Sequence, residues 1–319
     1  RTTDLVGTEV RQLADSATRY VLARVGERFP IGAVRTLPLA ATSVEALKAF
    51  LQGEQHFRRT EWEAALGAYT RAAALDTGFA LVPHRMAQVI GFQRDEADSL
   101  SRAMAARAGR LNRGLGARDS LLVALGAAYS ALAERDVATA DWGRVRALLG
   151  MARDAVARYP GDPEAWYLAG EARQHFGYGS LGGVTEDTVL ASFERAVALD
   201  PGFAPAYVHL VELAFRLRGR ALGRQYLERY LALDATGSED ASFRLIARLT
   251  ADTVPRADAL GALLDTVPSA VLSFAVYRLA RWPDSAATAL AMVQALARRP
   301  AARGGPPRDS VFLYRSLPQ

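Results

Sequence analysis

One short segment recurs along this chain and constrains its fold more than any other feature. Residues 193–207 read as the end of one helix, an Asp200-Pro201-Gly202 break, and the beginning of another helix. Apolar residues approach the break at helical spacing. Proline ends the first helix because it lacks an N–H and restricts the residue before it. The segment therefore predicts two helices joined by a tight turn.

The same joint occurs near Asp76, near Pro160 and, in a looser form, near Asp234. Asp200 and Asp234 are 34 residues apart, which is the period of the tetratricopeptide repeat (TPR). The distance from Pro160 to Pro201 is 41 residues, so that unit carries an insertion of about seven residues. This periodicity predicts an all-α, right-handed, TPR-like helical solenoid, in which each helix pair buries its apolar face against its neighbours.

The sequence divides into four predicted regions. These are an N-terminal helix and extended connector over 1–41, a TPR-like solenoid over 42–250, divergent C-terminal helices over 251–298, and a Pro/Gly-rich docking tail over 299–319. We expect the tail to dock either on the end of the solenoid or on a partner chain. In the solenoid, Gly53 stands where a TPR needs a small residue for close helix approach.

The predicted helices of the solenoid form five pairs, and four more helices follow them. They lie at 44–58 and 61–75, 80–92 and 96–111, 118–134 and 142–159, 163–176 and 188–199, 204–218 and 222–233, and then at 238–249, 256–266, 268–281 and 284–299.

The composition excludes several kinds of chemistry. The chain has 319 residues, half of them hydrophobic, and no cysteine, which excludes disulfides and thiolate sites. No apolar run is long enough to span a membrane. The net charge of +5 is modest, and the arginines alternate with acidic residues rather than cluster, so we expect no nucleic-acid partner. Because the chain begins at Arg1, we expect a processed or trimmed product whose targeting segment lies outside it.

Residues 42–69 resemble the opening repeat of the TPR regions in bacterial serine/threonine kinases and in related TolB-like or cyclase-type regulators. The resemblance extends over roughly residues 4–250 and includes 118–122 and 165–170. It implies a helical sensor or scaffold that binds proteins and catalyses no reaction. The chain has no kinase Gly-rich loop, His-Arg-Asp or Asp-Phe-Gly motif, so no kinase activity follows from the resemblance.

Motifs for other chemistry are weak. Residues 177–182 fit Gly-x-Gly-x-x-Gly, but a predicted helix precedes them where a dinucleotide fold needs a strand, so we interpret them as an inter-helix insertion. His56, His84, His175 and His209 lack metal-ligand spacing. We therefore predict no catalytic residue, no cofactor and no metal site.

One repeated charge pattern marks the candidate partner-binding residues. Aligned helix pairs place a glutamate, a cation four residues later and a neighbouring apolar side chain on the face that lines the concave groove of a TPR. These residues are Phe50, Glu54, Arg58, Tyr167, Glu171, His175, Val208, Glu212 and Arg216, and the tail adds Phe312 and Tyr314. In the competing interpretation, each glutamate only pairs with the cation on its own helix and stabilises it by about 0.2–0.5 kcal/mol.

The predicted function is a non-catalytic scaffold for protein–protein interaction. In one version the chain is the sensor or interaction region of a bacterial signalling protein. In the alternative it is a stand-alone extrinsic structural subunit of a larger assembly, such as a membrane complex with which it associates peripherally. The sequence leaves the compartment open between the cytoplasm and the extracytoplasmic side.

Overall fold

The computed structural model describes residues 43–94, 98–132, 141–177, 183–236, 238–251, 257–282 and 285–299. Within these ranges the chain forms 14 helices and no strand, which confirms the all-α prediction. The helices are α1 (Val44–Arg58), α2 (Trp62–Leu75), α3 (Leu81–Gln93), α4 (Ser99–Leu111), α5 (Ala117–Leu132), α6 (Trp142–Arg158), α7 (Pro163–Phe176), α8 (Glu186–Leu199), α9 (Ala204–Arg218), α10 (Arg220–Leu231), α11 (Ser238–Leu249), α12 (Ala257–Thr266), α13 (Ser269–Leu279) and α14 (Ala286–Ala297).

The chain consists of two compact units, the first ending at Phe203 and the second beginning at Ala204. The domain boundaries inferred from sequence remain predictions. The predicted N-terminal helix and connector lie outside the described residues, as do all but the first residue of the predicted docking tail and residues 178–182 of the predicted insertion. No helix in the described ranges combines the length and the hydrophobicity that a membrane span requires.

In the first unit, helices α1 to α8 pack as four successive pairs. Each helix contacts the next one in the sequence, and α3 also contacts α5, which in turn contacts α7. The first helices of the second, third and fourth pairs therefore contact one another in succession. This layer of first helices positions the candidate site.

Local signals explain where these helices begin and end. The Ser43 hydroxyl caps α1 by accepting a hydrogen bond from the N–H of Ala46 at 3.1 Å. Asp162 caps α7, whose first residue is Pro163. At the recurring joint, the carboxylates of Asp76 and Asp200 each accept a hydrogen bond from the glycine N–H two residues later, at 3.0 and 3.2 Å. The repeated Asp-x-Gly sequence is thus a repeated turn.

Glycines set the close approach of helices within two of these pairs. A Cβ atom at Gly53 of α1 would collide with the Tyr69 ring of α2. The corresponding position in the fourth pair is Gly170, where a Cβ would lie 2.7 Å from the Phe193 ring. The small residue predicted at position 53 is therefore required by an aromatic side chain from the partner helix.

The second unit contains one further pair, α9 and α10, followed by α11 to α14. Helix α11 contacts α10 and α13, and α14 contacts both α12 and α13. Two close ring pairs lie in its mostly aliphatic core, since the centroids of Tyr230 and Phe243 are 4.6 Å apart and those of Phe215 and Trp282 only 3.5 Å. This unit is less regular than the first.

Candidate functional site

A buried network of charged residues connects the first helices of the first unit. Arg85 on α3 donates hydrogen bonds to both carboxylate oxygens of Glu54 on α1, at 2.6 and 2.9 Å, and also bonds to Glu164 on α7. The guanidinium lies 4.8 Å from the centroid of the Phe57 ring. Arg85 is only 6% exposed, so it is stabilised inside the protein by two carboxylates and an aromatic face.

A second arginine continues the network. Arg118 on α5 makes two hydrogen bonds to Asp162, at 2.7 and 3.0 Å, one to Glu164 at 2.8 Å and one to Asp119 at 2.7 Å. Glu164 is therefore shared by two guanidinium groups. We call Glu54, Arg85, Glu164, Arg118 and Asp162 the ion ladder. Its contacts join α1 to α3, α3 to α7, and α7 to α5.

The ion ladder shifts the pKa values of the groups in and beside it. Burial alone would raise the pKa of Glu164, but Arg85 and Arg118 outweigh it and hold that pKa well below its usual value. Burial, aided by the neighbouring charge of Arg85, lowers the pKa of His84 to about 3. At neutral pH Glu164 is therefore ionised and His84 is uncharged.

A cavity of about 90 Å³ lies next to the ion ladder, lined by α3, α4, α5 and α7 and partly open to solvent. Its wall is mostly apolar, with a few polar side chains. The lining residues are His84, Ala87, Gln88, Gly91, Phe92, Ser101, Ala105, Leu125, Gly126, Tyr129, Ser130, Tyr167, Leu168 and Glu171. A concave, largely apolar pocket with a few convergent polar groups is the usual form of a ligand site.

Three polar atoms of the cavity wall are buried without a hydrogen-bond partner among the described residues. They are His84 Nε2, Gln88 Nε2 and Ser130 Oγ. His84 is 4% exposed and Ser130 6%. Leaving such a group unsatisfied costs on the order of 1–3 kcal/mol, so the wall is polar in a way that packing alone does not explain.

Gly126 on α5 leaves the space that the His84 imidazole occupies in the cavity wall. A Cβ atom at Gly126 would lie 2.7 Å from His84 Cε1, so any larger residue would push the imidazole away. Sequence analysis considered His84 only as a metal ligand and did not identify Gln88, Gly126 or Ser130. The one usable signal was the helix-interior glycine, which resembles Gly53 and Gly170.

The predicted partner-binding residues of α1 lie in packed environments. The Phe50 ring packs on Tyr69 and Phe79, with centroids 5.7 and 4.9 Å away. Glu54 also accepts a hydrogen bond from Tyr69 Oη at 2.6 Å. Arg58 binds Asp200 through two hydrogen bonds of 2.5 and 2.7 Å.

The expected pairing of Glu54 with Arg58 on the same helix is therefore wrong. Each residue has a partner on a different helix or turn, and each of those contacts uses two atoms on each side. Bidentate geometry is stronger than the single exposed contact that an i, i+4 pair provides.

The fourth helix pair brings its three predicted residues to or near the cavity. Tyr167 and Glu171 belong to the cavity wall. His175 Nε2 lies 3.7 Å from a Glu171 carboxylate oxygen, and its ring meets Tyr129 edge-on. Of the predicted residues in the first unit, these lie closest to a site that could hold a ligand.

The remaining predicted residues fall in the second unit or outside the described residues. Val208 is 6% exposed in α9, and Glu212, 2% exposed, lies 3.3 Å from Arg281 Nη1. Arg216 is on the last turn of α9. Phe312 and Tyr314 lie outside the described residues. The partner-binding role of the whole set remains a prediction.

No family model and no curated protein matches this chain. Several solved structures resemble it. MamA (residues 41 to the end) from Desulfovibrio magneticus RS-1 is 16% identical, with 61% of this chain and 97% of that one covered and a TM-score of 0.30. YrrB, described as a TPR protein with an unusual peptide-binding site, is 17% identical, with coverages of 63% and 92% and a TM-score of 0.31.

The Rap conjugation gene regulator of the plasmid pLS20, in complex with the Phr* peptide, matches over more of the chain. It is 12% identical, covers 97% of this chain and 86% of its own, and has a TM-score of 0.51. Likeness at such low identity defines the fold alone. The chain has an all-α, TPR-like fold.

Proposed function

We propose that this chain is a non-catalytic scaffold that binds a protein or peptide through the first helices of its first unit. The observation that carries the proposal is the cavity among α3, α4, α5 and α7, where buried polar atoms of His84, Gln88 and Ser130 lack partners among the described residues. A binding partner that filled the cavity would satisfy these atoms.

The ionisation of the nearby groups supports a role in binding rather than catalysis. A general acid or base works best with a pKa near the operating pH. His84, with a pKa lowered to about 3, is far from that range, and the pKa of Glu164 is held low by two arginines. The paired charges stiffen the first-helix layer, which reduces the entropy cost of binding.

Two versions of the scaffold differ in the partner. We favour the sensor or interaction region of a bacterial signalling protein, following the resemblance of residues 42–69 to the TPR regions of kinases and TolB-like or cyclase-type regulators. The Rap regulator, which has a similar fold, carries a bound peptide, and a peptide is the kind of partner we expect here. The alternative is an extrinsic structural subunit, which would remain in one assembly at fixed stoichiometry.

The test is a peptide-display selection on the purified chain, followed by calorimetric titration of the selected peptides. We expect Tyr129→Ala, at the cavity wall, to weaken binding at least about tenfold, as the loss of an interface aromatic does. Leu75→Ala is the matched control, because Leu75 is 53% exposed on α2 and does not line the cavity. Equal binding by the two variants would place the partner elsewhere and contradict the proposal.

Gel filtration and co-purification from native extracts distinguish the two versions of the scaffold. A signalling region should bind its partner reversibly, with micromolar affinity and exchange during gel filtration. A structural subunit should co-purify from native membranes or cytosol at fixed stoichiometry and resist exchange.

A further inference from the structure

We propose that the cavity beside the ion ladder recognises the primary amide of an asparagine or glutamine side chain in the bound peptide. This inference rests on the scaffold function proposed above and specifies which chemical group the cavity binds.

The orientation of Gln88 gives the first requirement. Its Oε1 lies 2.9 Å from Arg85 Nη1. Since a guanidinium only donates hydrogen bonds, the atom facing Arg85 must be the amide oxygen. The atom without a partner, Nε2, is therefore the amide nitrogen, which can only donate. The ligand must present an acceptor to it.

The charge at the cavity gives the second requirement. Glu171 belongs to the wall and is 7% exposed, so a ligand carboxylate would face a like charge in a poorly hydrated place. Arg85 is already paired with Glu54 and Glu164, and His84 is uncharged at neutral pH. The wall therefore offers little to hold an anion.

A positively charged ligand is also disfavoured. An ammonium group has three donors and no acceptor, so it would leave the Gln88 amide nitrogen unsatisfied. A primary amide supplies an oxygen that accepts from Gln88 Nε2 and a nitrogen that donates to Glu171, while Ser130 Oγ can donate or accept. Among uncharged side-chain groups, the primary amide has its acceptor and its two donors on separate atoms, whereas a hydroxyl must donate and accept through one oxygen.

The size of the cavity agrees with this class of ligand. A cavity of about 150 Å³ holds benzene, so a cavity of about 90 Å³ is too small for an aromatic side chain. It suits a head of four or five heavy atoms, whose methylene groups would contact Ala105, Leu125 and Leu168. The competing occupant is water, since about three molecules at roughly 30 Å³ each would fill the same volume.

A fragment titration distinguishes the amide from water and from charged ligands. The purified chain is titrated with propionamide, propionate and propylammonium, three molecules of nearly equal size, and followed by NMR at the backbone amides of Gly126 and Ser130. We expect saturable shifts with propionamide in the millimolar range, and an apparent Kd at least about tenfold higher for the two ions. Absence of saturation with propionamide, or an equal response to all three, would overturn the proposal and leave a hydrated cavity.

Two variants assign the binding to Gln88. Gln88→Glu preserves the shape and the acceptor facing Arg85 but replaces the cavity-facing donor with an oxygen, so propionamide should bind at least about tenfold more weakly. Gln52→Glu is the matched control, because Gln52 Oε1 accepts a hydrogen bond from Arg71 at 3.3 Å on an exposed surface away from the cavity. Equal binding by both variants would overturn the assignment.

A third variant guards against misfolding as an explanation. Ala105→Leu fills part of the cavity from α4 and should abolish the propionamide shifts while the thermal transition stays cooperative. If saturable shifts persist in this variant, the fragment binds elsewhere and the proposal fails.

The peptide experiments separate failure of this inference from failure of the scaffold. Selected peptides that bind at the cavity without any preference for asparagine or glutamine would contradict the amide pocket but leave the scaffold intact. Propionamide binding together with failure of every peptide selection would contradict the scaffold and support a pocket for a free amide.

Discussion

The first and fifth helix pairs solve the same packing problem with the large and small residues exchanged. In the first pair, Gly53 on α1 receives the Tyr69 ring from α2. In the fifth pair, Gly223 on the second helix, α10, receives the Phe215 ring from the first helix, α9. Both pairs achieve close helix contact, but the aromatic side chain comes from opposite helices.

The exchange changes which further interaction the aromatic side chain makes in each pair. Because Tyr69 comes from α2, its hydroxyl reaches Glu54 at 2.6 Å and supports the end of the ion ladder. Phe215 has no hydroxyl and instead stacks on Trp282, with an angle of 19° between the rings. In the first pair the aromatic residue therefore adds a hydrogen bond to a buried carboxylate, and in the fifth pair it adds a stacked ring.

Breaking the ion ladder at its shared carboxylate should have the largest effect. Glu164→Ala removes a charge-assisted hydrogen bond from each of the buried guanidinium groups of Arg85 and Arg118, and two such bonds contribute about 3–5 kcal/mol of unfolding free energy. Hydrogen exchange followed by mass spectrometry should show faster exchange in α3, α5 and α7 than in the second unit. Glu63→Ala, at an exposed position on α2, is the control. A loss below about 1 kcal/mol would mean that the ion ladder contributes little to stability.

Acid should weaken the first unit before carboxylates titrate. Because the pKa of His84 is lowered from 6.5 to about 3 in the folded chain, the unfolded chain binds more protons between these values. Stability is therefore lost as the pH falls below the unfolded value, by about 2.5 kcal/mol between pH 7 and pH 4.5. Glu164 adds to the loss only below its ordinary pKa of 4.5.

The measurement is denaturant unfolding at several pH values, with His84→Gln as the reference. The variant should lack this component of the pH dependence even if it is less stable at pH 7. If the unfolding free energy changes with pH equally in the two proteins, His84 is not the group that causes this pH dependence.

Adding one methyl group tests whether the glycine contacts are equally tight. Gly53→Ala and Gly223→Ala should each destabilise the chain by about 1–3 kcal/mol, because the new Cβ meets a buried ring in both cases. Gly67→Ala is the control, since the nearest atom to its Cβ is 3.9 Å away, and it should stabilise α2 by up to about 1 kcal/mol. Thermal melts of the three variants measure these changes. A higher melting temperature for Gly53→Ala or Gly223→Ala would contradict the prediction.

Local structure was predictable from the sequence because its signals are local. Helix α1 occupies Val44–Arg58 as predicted, since Ser43 caps its beginning, and the recurring Asp-x-Gly turn ends α2 and α8. The need for a small residue at Gly53 also follows from repeat spacing. These features depend on residues close in sequence or one repeat apart.

The candidate site depends on longer-range contacts. Arg85 is 31 residues from Glu54 and 79 from Glu164, and nothing in the periodicity indicates that these three residues meet. The sequence pattern instead suggested the local pair Glu54–Arg58, which the structure replaces with bonds to Arg85 and Asp200. The cavity was missed for the same reason, because its wall is assembled from four helices.

Removing a single oxygen from the first pair makes it resemble the fourth and sharpens the comparison between repeats. In the fourth pair, Phe193 occupies the position of Tyr69, facing Gly170, so it offers no hydroxyl to Glu171. Tyr69→Phe removes the bond to Glu54 but leaves the two bonds from Arg85 in place, so the expected loss is about 1.5 kcal/mol. In an Arg85→Met background, Tyr69→Phe should lower the unfolding free energy by more, because Glu54 would then lose its last strong donor. A double-mutant cycle measured by denaturant unfolding gives the coupling free energy between Tyr69 and Arg85. Strictly additive losses would show that the hydroxyl and the guanidinium stabilise Glu54 independently.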